Sequence, residues 1–128
     1  KGMEMELPAG QTLLGSDGVR RTRFRTKFWS QAPKTYGDVV FQPDGLPDEL
    51  VDQPLSDAEH ARLLQYGADQ KPLFVGHYWC KGEPRTLRDN LACLDYSAVK
   101  NGLLVAYRMG QSTRLNNDDF VWVNSADF

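Results

Sequence analysis

Histidine, cysteine and any surplus of charge are all scarce in this 128-residue chain, and each shortage closes off a class of function. Lys and Arg number 15 against 17 Asp and Glu, so no global positive field recommends nucleic acid or an anionic membrane as the main partner. Two cysteines, Cys80 and Cys93, are too few for a disulfide scaffold. They also lack the C-x-x-C spacing of a zinc or redox motif, and read as reduced thiols of a cytoplasmic protein. No stretch approaches the roughly 18 apolar residues that span a bilayer. No basic segment with an apolar run follows the N-terminus, and there is no internal repeat. Lys1 stands where an initiator methionine would, and Met3 and Met5 sit as in mid-sequence, which fits a fragment.

What is present suits one globular domain over residues 1–128. Hydrophobic residues make up 41% and charged residues 25%, enough to hold a core without covalent staples. Met3-Glu4-Met5-Glu6-Leu7 alternates apolar and acidic residues, as a half-buried strand does. The Gly15-Ser16-Asp17-Gly18 cluster predicts a hairpin turn, followed by a strand over about Val19–Trp29. Residues 30–55 carry Pro33, Pro43, Pro47 and Pro54 and read as a long surface connection, with Tyr36–Phe41 a helical turn or short strand within it. Asp44-Gly45 reads as a turn.

Ser56-Asp57-Ala58-Glu59 matches a capping box and predicts the one clear helix, about Asp57–Tyr66. Leu55, Ala58, Ala61 and Leu64 would form its apolar side, and Gly67 would cap its end. His60, beside Glu59 and Arg62, is expected at the surface. Four apolar runs then predict strands: Leu73–Val75, Leu91–Leu94, Leu103–Tyr107 and Phe120–Val123, with a turn at Asn101-Gly102. The fold class is thus α+β, with a largely antiparallel sheet.

Chemistry concentrates at Phe74-Val75-Gly76-His77-Tyr78-Trp79. A buried strand ending in Gly-His puts an imidazole at the carboxyl rim of a sheet, where open sheets bind ligands. Glycine lets backbone and ligand approach closely, and neutral imidazole is a metal ligand. The alternative is a histidine satisfied by hydrogen bonds at a strand end. Asp95, also at a strand end, could support His77 or cap the following turn. Cys80 lies three residues from His77, but no oxyanion-hole glycine motif accompanies them. Asn116–Asp119 clusters oxygens without EF-hand spacing and reads as a loop. Arg21, Arg23, Arg25 and Lys27 alternate with Thr and Phe, so in one strand they would form a cationic row able to bind phosphate or an acidic partner. Alternatively, they pair with Glu4 and Glu6 across a sheet.

Lys71–Trp79 resembles the last block of calcineurin-like metallophosphoesterases, usually written Gly-His-x-His. The segments Asn90–Ser97 and Asn101–Arg108 are similar to the closing strands of bacterial members, in the diadenosine tetraphosphatase and serine/threonine phosphatase branch. Lys1 to Trp29 also resembles a hairpin region of that subgroup. The resemblance implies the C-terminal part of an αββα sandwich in a hydrolase that cleaves phosphate esters with divalent metals of the Mn, Fe or Zn class. It implies that His77 is a metal ligand and that Tyr78 and Trp79 line the mouth of the site.

The family's second histidine would fall at Trp79. Its earlier blocks, Asp-x-His, Gly-Asp-x-x-Asp and Gly-Asn-His-Asp/Glu, do not occur, and Gly37-Asp38 is followed by Val39-Val40-Phe41 without the bridging aspartate. A binuclear centre needs several carboxylates and imidazoles around ions about 3.5–4 Å apart. The chain alone is therefore expected to hold no complete catalytic set, to bind no metal tightly and to hydrolyse nothing. A missing N-terminal catalytic half is the implied partner, or else a second copy covering the exposed sheet. The competing expectations are a binding module using the Arg21–Lys27 strand and a structural domain with no ligand.

Overall fold

A computed structural model describes residues 2–42 and 45–127, so Asp44 of the expected Asp44-Gly45 turn lies outside the described residues. Among the described residues the fold is mixed α and β, built from short, mostly antiparallel sheets and three short α-helices. The chain divides into two compact units, Gly2–Tyr66 and the part from Gly67 onward.

In the first unit, β1 (Glu4–Glu6) has the alternation its sequence predicts: Glu4 and Glu6 are exposed, while Met5 and the following Leu7 are buried. The Asp17 turn joins β2 (Leu13–Leu14) to β3 (Arg20–Arg21), and the Asp17 carboxylate accepts the Val19 N–H at 3.1 Å. The strand expected over Val19–Trp29 is broken at Thr22, whose carbonyl accepts the Leu7 N–H. Chain direction changes there, and β4 (Arg23–Thr26) pairs with β1 in a separate sheet.

Residues 30–55 are not a surface connection. They hold α1 (Tyr36–Val39), β5 (Val40–Phe41) and α2 (Asp48–Val51), and they supply Tyr36, Val39, Val40 and Leu50 to the core beside Met5, Leu13 and Phe24. The prolines keep each element to about one turn without keeping its side chains out of the interior. Asp38 has a local structural role: its carboxylate accepts the N–H groups of Lys34 (2.8 Å) and Thr35 (3.0 Å) and caps α1.

Helix α3 spans Asp57–Arg62, shorter than expected. Its capping box forms as predicted, with the Ser56 and Glu59 side chains exchanging bonds with each other's backbone N–H. Ala58, Ala61 and Leu64 are exposed, and Leu55 and Leu63 pack against the core instead. Gly67 does not cap the helix. Its carbonyl, with that of Gln70, accepts the side-chain amide of buried Asn90.

The second unit has two three-stranded sheets. In one, β6 (Leu73–Val75) runs parallel to β8 (Leu91–Cys93), with β7 (Thr86–Arg88) antiparallel on β8's other side. Leu91, Ala92 and Cys93 are fully buried, whereas β6 is only half-buried, contrary to its wholly apolar sequence. Burying a leucine such as Leu91 contributes about 1.5–3 kcal/mol. In the other sheet, β9 (Asp95–Tyr96), β10 (Leu103–Tyr107) and β11 (Phe120–Asn124) form an antiparallel meander. Phe74, Tyr107 and Phe120 form a chain of ring contacts in its core, with centroids 5.2 and 5.1 Å apart.

The Asn101-Gly102 turn is present, with Asn101 left-handed at φ +59°. A Cβ on Gly102 would lie 2.0 Å from the Tyr96 carbonyl oxygen, so only glycine fits. Asn116 caps a 3-10 turn, Asn117–Asp119, that leads directly into β11. Among the described residues no helix is long and apolar enough to cross a membrane.

Candidate functional site

The parallel register of β6 and β8 pairs Val75 with Cys93, so the residues just beyond both carboxyl ends emerge together. His77 lies two residues past β6 and Asp95 two residues past β8. They meet through the backbone: the His77 N–H donates to Asp95 Oδ2 at 2.8 Å. Asp95 Oδ1 accepts the Ser97 N–H at 3.0 Å and caps the turn after β9's first residue. One carboxylate thus ties two loops together, acting on the His77 main chain.

The His77 side chain is exposed, and its backbone is left-handed at φ +67°. Gly76 does not provide the special conformation or clearance expected of it, since a Cβ there would meet nothing within 4 Å. The unusual backbone angles fall on His77 and on Trp79 (φ +43°). Non-glycine residues hold such angles only where their surroundings over-determine them.

Tyr78 and Trp79 separate. Tyr78 is 2% exposed and belongs to the interior, so it does not line a mouth. Trp79 is 43% exposed. Its ring meets the His77 ring edge-on with centroids 5.6 Å apart, and the Lys100 ammonium sits 4.7 Å from its centroid. Lys100 carried no signal in the sequence, because only the turn after β9 brings it to Trp79. An open, largely apolar cleft of about 360 Å³ adjoins Gly76 and Asp95, with Leu94, Ala98 and Leu104 on its walls.

The expected cationic row does not form. Arg21 lies in the β2–β3 hairpin, where its guanidinium takes both Asp17 oxygens at 3.0 and 2.6 Å. That contact holds the Asp17 carboxyl well below the usual carboxylate range. Arg23 and Arg25 share a face of β4 opposite Glu6 and Glu4, and Arg25 approaches Glu4 at 4.0 Å. The Lys27 ammonium donates to the Gly37 carbonyl at 3.2 Å. Burial pulls its affinity for a proton down, against the pull of Asp38. His60 is exposed as expected, with Nε2 donating to the Pro33 carbonyl at 3.0 Å.

The residues present do not by themselves fit a metal centre. Among the described residues no group of three His, Cys, Asp or Glu side chains converges, and the Asp95 carboxylate is engaged by two backbone N–H groups. What sequence spacing missed is the approach of the two cysteines: the Cys80 N–H donates to the Asp95 carbonyl at 2.9 Å and the Cys93 S–H to the same oxygen at 3.7 Å. No protein-family model, curated protein or solved structure matches this chain.

Proposed function

We propose that the chain is the C-terminal portion of a metal-dependent phosphoric ester hydrolase of the calcineurin-like type, whose substrate class the resemblance leaves open among phosphoproteins, dinucleoside polyphosphates and small phosphodiesters. His77 contributes one ligand, and the remaining ligands come from polypeptide N-terminal to this chain. The observation that carries this reading is the placement of an exposed imidazole beyond the carboxyl ends of two parallel strands, with its main chain pinned by Asp95. The exposed Trp79 ring beside it supplies an apolar surface for a leaving group. Because one imidazole cannot organise a binuclear centre, the chain alone holds no metal tightly and has no hydrolytic activity.

The second sheet supports a need for further polypeptide. Its register places Leu104, Ala106, Val121 and Val123 on one face, all of them exposed, and uncovered apolar faces of this kind are commonly covered by partners. The missing catalytic half would cover it, and a second copy is the other occupant that sedimentation would reveal. No observation favours the cationic-strand binding module, since three of its four cations already have carboxylate or carbonyl contacts.

The test is the full reading frame that encodes this chain. Its upstream portion should carry Asp-x-His, Gly-Asp-x-x-Asp and Gly-Asn-His blocks. Its product should hydrolyse p-nitrophenyl phosphate only with divalent metal, and His77→Ala should abolish that turnover. An upstream sequence without those blocks, or turnover indifferent to His77, ends the assignment. Metal-dependent turnover by residues 1–128 alone would show that the site is complete after all.

A further inference from the structure

Beneath the His77–Trp79 loop, two elements bring the chain's only cysteines together. Cys93 ends β8 and is fully buried. Cys80 follows Trp79, is partly exposed, and is fixed by its N–H to the Asp95 carbonyl at 2.9 Å. The Cys93 S–H donates to that same carbonyl oxygen at 3.7 Å. The Cys93 sulfur also accepts the Asp95 N–H at 3.4 Å. A backbone N–H aimed at a sulfur favours its thiolate, as oriented N–H groups do other anions.

We propose that Cys80 and Cys93 are a reversible dithiol–disulfide pair, oxidised by low-molecular-weight disulfides, whose closure ties the His77–Trp79 loop to β8.

The electrostatics run the same way. The Cys80 hydrogen bond, aided by backbone N–H groups and opposed by burial, brings Cys93 down to about 7. The hydrogen bond to Cys93 and then burial push Cys80 up. Cys93 is therefore the first of the two to lose its proton. Taking up the Cys80 proton in turn, it leaves the thiolate on Cys80, the sulfur with an approach from solvent. That thiolate attacks a small disulfide, forms a mixed disulfide at Cys80 and releases one small thiolate. The released small thiolate takes the proton now on Cys93, whose sulfur attacks the Cys80 sulfur and expels the second small thiolate, which takes from solvent the proton that Cys93 first lost. Two cysteine S–H bonds and one external S–S bond give way to one protein S–S bond and two released thiols, so both electrons pass to the small disulfide.

Both cysteines already meet the Asp95 carbonyl oxygen, and closure brings their sulfurs to the bonding distance of about 2.05 Å. Transient disulfides of this kind are compatible with a reducing compartment. The inference does not depend on the phosphoesterase reading, because its readout involves no metal and no substrate.

The wild-type chain is equilibrated in glutathione buffers from fully reduced to fully oxidised, trapped with iodoacetamide, digested and mapped by mass. The expected result is one Cys80–Cys93 linked peptide, lighter than the reduced pair by two hydrogens, that appears in the oxidised buffers and disappears on return to reduced ones. Tryptic cleavage after the exposed Lys81 should slow in the linked form. Cys93→Ser should stop at a stable glutathione adduct on Cys80. Both thiols alkylated in every buffer, a stable adduct on wild-type Cys80 with Cys93 free, or linkage only between chains would each overturn the proposal.

Discussion

The two units use similarly short elements for different ends. In Gly2–Tyr66, the interior gathers one or two side chains from each of many small pieces: Met5, Leu13, Phe24, Tyr36, Val39, Val40 and Leu50. Its charged groups are engaged locally, with Arg21 on Asp17, Asp38 on the α1 cap and Glu59 on the α3 cap. The unit from Gly67 onward builds its interior around one fully buried strand, β8, and leaves its reactive groups at that strand's carboxyl end. His77, Trp79, Cys80, Cys93 and Asp95 all collect there. A sheet whose parallel strands end together concentrates chemistry, whereas a meander of hairpins disperses its polar groups into caps and turns. The comparison separates a unit in which polar residues hold the fold from one in which they are gathered at a rim.

The largest expected effect tests how tightly each unit closes on its backbone. Gly102→Ala would force a Cβ to 2.0 Å from the Tyr96 carbonyl oxygen and 2.7 Å from that of Ser97, and neither backbone atom can yield cheaply. A loss of about 3 kcal/mol is expected in urea denaturation. Gly37→Ala in the first unit meets the Val51 carbonyl at 2.6 Å, but its site is helical, and alanine recovers about 1 kcal/mol of helix propensity. Its cost should be about 1–2 kcal/mol. If Gly37→Ala proved the costlier change, the first unit would be the more tightly packed at its turns.

A smaller effect is expected at the rim. Asp95→Ala leaves the N–H groups of His77 and Ser97 without their carboxylate acceptor, which costs about 1.5–3 kcal/mol. Partial exposure of Asp95 places it toward the lower end. Amide hydrogen exchange at His77 and Ser97 should accelerate while exchange at Leu91 stays protected, since β8 does not depend on Asp95 for its burial. Equal acceleration at all three sites would mean that the rim and the core strand open as one, and the contrast between them would disappear.

How far the sequence conveys all this depends on the range of the interaction. Local signals carry through: the alternation of β1, the Asp17 turn, the Ser56–Glu59 capping box and the apolar runs of β6, β8, β10 and β11. Residues 36–51 misled because prolines report on element length, whereas burial of Tyr36 and Leu50 depends on what packs over them. The three-residue β7 is too short for any period to show. At the site, strand-end placement made His77 and Asp95 legible as a pair, though not that their contact runs through the main chain. The cysteine contact had no sequence signal, because it depends on the parallel register of strands separated by the β7 excursion. The cationic row failed through one local event, the change of direction at Thr22.

The smallest effect bears on the first unit's use of charge as structure. Burial pushes the Glu59 carboxyl up, but hydrogen bonds from the Tyr36 hydroxyl and from the Ser56 N–H and hydroxyl outweigh it, so it lies below its ordinary value. Asp38 is lowered likewise by the Lys34 and Thr35 N–H groups. For both, the folded state favours the carboxylate. Their contribution is fully present above the unfolded values of 4.5 and 3.8 and is lost as pH falls through the lowered folded values. Glu59→Gln should therefore lower stability by about 0.5–1 kcal/mol at pH 7, the lower part of the capping range because solvent screens the site. The difference from wild type should shrink in thermal melts carried down to pH 3, as protonation removes from the wild type what the substitution removed already. A gap that widens toward acid would mean that burial dominates at Glu59, and that this carboxylate strains the first unit instead of holding it.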